Sequence, residues 1–124
     1  MALTMNDTEI KIELVKAIEK QVWEANTGAE EADMLLHTLH EYEYFLVRQL
    51  AKKPTTNAHL ADMRQAESDA QSLLIDLVAG EQDQMAGWQY GDTPENSAQA
   101  LAGVLTLIHT ELSVEIYDFM RLQF

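Results

Sequence analysis

A chain of 124 residues is long enough for one self-sufficient core and too short for two, and a hydrophobic content of 47% is too high for a disordered segment. Eight Lys and Arg stand against 21 Asp and Glu, so the formal charge is −13. That balance argues against direct binding to nucleic acid or to an anionic membrane, both of which need a basic face. With no Cys there is no disulfide, no thiol nucleophile and no thiolate metal site.

The segment Met1 to Ile10 has neither a basic leader nor a long apolar run, and no stretch has the length of a membrane span. A cytoplasmic protein is therefore expected. Asp7 or Thr8 can cap a first helix over about 7–25. Ile10, Leu14, Ile18 and Val22 recur every four residues, with Val15 and Trp23 beside them, and predict its buried stripe. Asn26-Thr27-Gly28 ends it. The second helix is predicted over 29–52, with Leu35, Leu39, Tyr42, Leu46 and Leu50 on one face. Lys52 and Lys53 sit at its negative end, and Pro54 stops it.

The third helix is predicted over 56–82, with Leu60, Met63, Ala70, Leu74 and Leu77 on 3/4 spacing. A loop from Gly80 to Thr93 follows. Thr93-Pro94-Glu95 combines a capping hydroxyl, Pro at the first helical position and an acid in the first turn. It starts a fourth helix over 94–123, whose stripe is Leu101, Leu105, Ile108, Leu112, Ile116 and Phe119. No period-2 alternation predicts a strand. The expected fold is one all-α domain over 1–124, a four-helix bundle.

Charge is uneven along the chain. Residues 1–53 hold ten acids and six bases, whereas 54–124 hold eleven acids and only Arg64 and Arg121. Asp62, Asp69, Asp76 and Asp83 repeat every seven residues, almost two helical turns, and so form a column beside the third helix's apolar stripe. Such a column serves as a solvated face or as a docking edge for a basic partner. Trp88 and Tyr90 stand in the acidic loop and join the candidate contact residues, since Trp and Tyr dominate interface energetics.

Opposite the fourth helix's stripe, Gly103, Thr106, Thr110, Ser113 and Tyr117 are spaced 3, 4, 3, 4, with Leu107 and Val114 beside them. This seam of small and hydroxyl residues admits a close-packed helix, either because the fourth helix is central in the bundle or because it pairs across a two-fold axis in a homodimer.

Chemistry-bearing patterns are few. Asp33, His37 and Glu41 share one helix face at i, i+4 and i+8, but that face is the outer one, with Tyr44 and Arg48. No Glu-x-x-His occurs, which a di-iron bundle would need. Glu43 and Glu67 fall close to the apolar stripes, and if buried they need partners, for which Arg121, Tyr42, His109 and Tyr117 are candidates. No phosphate loop and no nucleophile elbow is present. The expectation is a non-enzymatic, acidic interaction protein with no metal and no cofactor. It would bind and inhibit or mask a basic, nucleic-acid-binding partner, in the manner of counter-defence, antitoxin or immunity proteins. A secretion or assembly chaperone is the alternative, and a metal-dependent helical-bundle enzyme the second alternative.

Overall fold

The computed structural model describes residues 6–25, 30–78 and 94–122. They form four helices and no strand: α1 (Asp7–Ala25), α2 (Glu30–Leu50), α3 (Asn57–Val78) and α4 (Pro94–Arg121). Each packs on its neighbour in sequence, α1 on α2, α2 on α3 and α3 on α4, as in a four-helix bundle. Arg64 reaches Met120 and Glu67 reaches Ser113, so α3 and α4 run antiparallel. The most extensive packing is between α3 and α4; among the described residues α1 and α4 meet only sparsely. No described helix is long and apolar enough to cross a membrane.

Local chemistry explains the helix ends. Asn6, rather than Asp7 or Thr8, caps α1: its Oδ1 accepts the Glu9 N–H at 2.8 Å. α2 stops at Leu50, two residues short of the predicted end. Lys52 takes a left-handed backbone (φ 58°), so the Lys53 N–H bonds back to the Arg48 carbonyl and the Lys52 N–H to that of Gln49. The two lysines thus follow the helix and close its C-terminus rather than forming its last turn. The Arg48 guanidinium also donates to the Pro54 carbonyl, fixing the turn into α3. α4 begins at Pro94, as its start signal predicts. The predicted loop Gly80–Thr93 lies outside the described residues.

Three of the predicted stripes hold with small shifts. Leu35, Leu39, Tyr42 and Leu46 are buried on α2, while Leu50 at the helix end is 42% exposed. On α4, Leu101, Leu105, Ile108, Leu112 and Ile116 are buried, and Phe119 is half-buried. On α3 the buried set is Met63, Ala66, Ala70, Leu73 and Leu77, with Leu60 and Leu74 only half-buried. Ala66 and Ala70 in this buried set are small enough to let a neighbouring helix pack closely.

α1 departs from its prediction. Ile12, Val15, Ile18 and Val22 are buried, whereas Ile10 is 52% and Trp23 74% exposed. Strict four-residue spacing advances about 40° per step, so a stripe read that way drifts around the helix. Ile10 ends roughly 120° from the centre of the buried set. The consequence is measurable by thermal or urea denaturation. Ile12→Ala should destabilise the fold by about 2–4 kcal/mol, and Ile10→Ala by less than about 1 kcal/mol. Equal losses would mean that α1 is rotated from this placement.

Candidate functional site

Four acids stand at the junctions between helices, and each has a different solution to its charge. Glu111 on α4 receives the Lys11 ammonium of α1 at 2.9 Å and the Tyr42 hydroxyl of α2 at 2.7 Å. Burial and the adjoining Glu111 carboxylate push the Tyr42 phenol above its usual range, so it stays a donor. This bridge ties α1, α2 and α4 together. Glu115 on α4 accepts from the Thr55 hydroxyl in the α2–α3 turn, and Glu67 on α3 accepts from Ser113 on α4.

The fourth acid is Glu19, which points from α1 toward α2. Its Oε2 lies 3.3 Å from His40 Nε2, while its Oε1 is buried with no hydrogen-bond partner in the ionised form. Glu43 of α2 stands beside it. Burial first, then the hydrogen bond and charge of Glu43, push the Glu19 carboxyl up to about 8, and Lys16 opposes this only in part. The two acids thus stand side by side at the α1–α2 junction. They line an open groove of about 400 Å³ between α1 and α2, together with Lys16, Lys20, Trp23, Leu36 and His40.

A second, smaller cavity of about 70 Å³ lies where α2 turns into α3, lined in part by Tyr44, Phe45, Arg48, His59 and Met63. Its walls are already tied together. The Arg48 guanidinium sits 5.7 Å from the Tyr44 ring centre, the Tyr44 and His59 rings are 5.0 Å apart, and His59 Nδ1 is paired with the Thr56 hydroxyl at 2.6 Å.

The residues singled out from the sequence fall in separate places. Asp62 is exposed, and Asp69 and Asp76 are half-buried along one flank of α3. Helical geometry sets that flank roughly opposite Glu67, the residue that meets α4, so the column faces away from α4. Asp69 holds an amide donor from Gln65 at 2.9 Å. Asp83, Trp88 and Tyr90 lie outside the described residues. On α4, Gly103, Thr106, Thr110 and Tyr117 are exposed, and Ser113 is the edge residue turned to Glu67. A Cβ built on Gly103 would meet no atom within 4 Å, and the Thr106 hydroxyl folds back onto the Ala102 carbonyl at 2.8 Å. Apart from Ser113, which meets Glu67 of α3, the seam residues are exposed on the outer face of α4.

His37 and Glu41 are 4.0 Å apart on the outer face of α2, with the His37 side chain 56% exposed. No group of three His, Asp or Glu placed to hold a metal ion occurs among the described residues. The expected partners of the intrusive acids need correction. Glu67 pairs with Ser113 and Glu43 with Glu19, and neither uses Arg121, Tyr42, His109 or Tyr117. Glu19 escaped the sequence reading because the α1 stripe was placed one flank away; with Ile12, Val15, Ile18 and Val22 inward, Glu19 falls on the α2 side.

The chain matches no protein family, no curated protein and no solved structure. Chemistry at the site is thus read from its own geometry. Tyr42→Phe removes one donor from a half-buried charged acceptor and should cost about 1–3 kcal/mol in urea denaturation. An unchanged midpoint would mean that Lys11 alone satisfies Glu111.

Proposed function

We propose that this protein is a non-catalytic, acidic interaction module that binds a basic protein in the cytoplasm and masks its nucleic-acid-binding surface. The observation that carries this reading is the flank of α3. Asp62, Asp69 and Asp76 stand there at seven-residue spacing, on a helix that contains no lysine. Its one arginine, Arg64, is turned toward Met120 of α4, away from the column. Spaced carboxylates about 10.5 Å apart along a helix present a regular negative edge. Such an edge accelerates encounter with a basic surface and repels acidic competitors. Its distance from α4 leaves the outer face of α4 free for a second role.

That second role is self-association. Val114 is 56%, Tyr117 67% and Leu122 78% exposed beside the uncovered seam of Gly103, Thr106 and Thr110. A homodimer through α4 would cover these groups while keeping both acidic flanks apart and outward. Sedimentation velocity on the purified chain reads this state directly.

The charge reading is tested by capture from host lysate with the wild type and with the Asp62→Lys/Asp69→Lys variant. The wild type should retain a basic protein whose association slows steeply with added salt. The double reversal should reduce the on-rate by about tenfold or more and flatten the salt dependence, with far-UV circular dichroism unchanged. Equal capture by both chains would reduce the column to a solubilising face. Capture with shallow salt dependence would favour the chaperone alternative.

A further inference from the structure

We propose that the α1–α2 seam is a proton-operated latch, in which one proton shared by Glu19 and Glu43 holds α1 on the bundle and its loss loosens that helix. The geometry supplies each part. Glu19 Oε1 is buried and has no donor, and the Glu43 carboxylate stands beside Glu19, so an ionised Glu19 leaves a bare oxygen next to a second acid. A proton on Oε1 turns the same contact into a hydrogen bond from one acid to the other. His40 stands on the opposite oxygen, Oε2, and does not relieve Oε1.

The other charged groups facing the pair are Lys16 and Lys20, both on α1 with Glu19; among the described residues the groove is lined by α1 and α2. Lys20 also lies 4.0 Å from Glu24. Loss of the proton is therefore felt first between α1 and α2. Among the described residues α1 packs chiefly on α2, and the Lys11–Glu111 bridge ties it to α4, so α1 is the helix on which such a loss would tell. Its release would uncover Val15, Ile18 and Val22, and the α2 face beneath them.

The direction with pH follows from where the proton is held more tightly. The folded chain holds it up to about 8, whereas a free glutamate has the ordinary value of 4.5. The proton's contribution is fully present below the lower value and is lost as pH rises through the upper one. Amide hydrogen exchange read by mass spectrometry, corrected for the intrinsic rate, follows α1 directly. Between about pH 6 and about pH 9, wild-type α1 should lose protection by roughly tenfold relative to α3. Glu19→Gln carries a permanent N–H donor toward Glu43 and should abolish that difference. Glu43→Gln, which removes the opposing charge, should do the same and provides the comparison if Glu19→Gln does not fold. Wild-type α1 protection that stays level with α3 across this range overturns the latch, as does an equal loss in the wild type and in either folded variant.

Discussion

An ionised carboxylate drawn out of water between helices needs a cation or a donor, and this chain has 21 acids for eight bases. Salt bridges cannot meet that need throughout, so the junctions use other donors. Glu111 takes a lysine and a tyrosine, Glu115 a threonine, and Glu67 a serine. Glu19 has His40 on one oxygen and nothing on the other, and there the missing donor is a proton. The bundle's polar seams are thus built largely from hydroxyls and from one shared proton, with few lysines or arginines.

The same shortage of bases shapes the outside. Of the lysines, Lys11 is committed to Glu111, and Lys16 and Lys20 border the α1–α2 groove. Arg48 is bound into the α2–α3 turn with Tyr44 and Pro54. α3 is left with Asp62, Asp69 and Asp76 along a flank that no lysine of its own helix offsets. These three acids lie on the flank of α3 turned away from Glu67 and α4.

Much of the architecture was legible in the residues. The four helices, the Pro94 start and the buried stripes of α2 and α4 follow from spacing and turn chemistry alone. Ile10 misled because an apolar residue every four positions looks like a stripe over three turns while its direction rotates away from the core. The site was less legible for a related reason. Glu43 could be marked as an intrusive acid from its place on α2, but its counterpart Glu19 belongs to another helix. Which acid meets which is decided by the packing of α1 on α2, a tertiary fact that no single helix encodes. The Tyr42–Glu111–Lys11 bridge, which spans three helices, was hidden in the same way.

The central claim, that a proton takes the place of a missing cation at the α1–α2 junction, is tested most directly by carboxyl ¹³C NMR. The Glu19 side-chain signal, assigned by its loss in Glu19→Gln, is followed through a pH titration of the folded chain. A midpoint near the value of about 8 would place the proton where the structure requires it. A midpoint at the ordinary glutamate value of 4.5 would contradict the account.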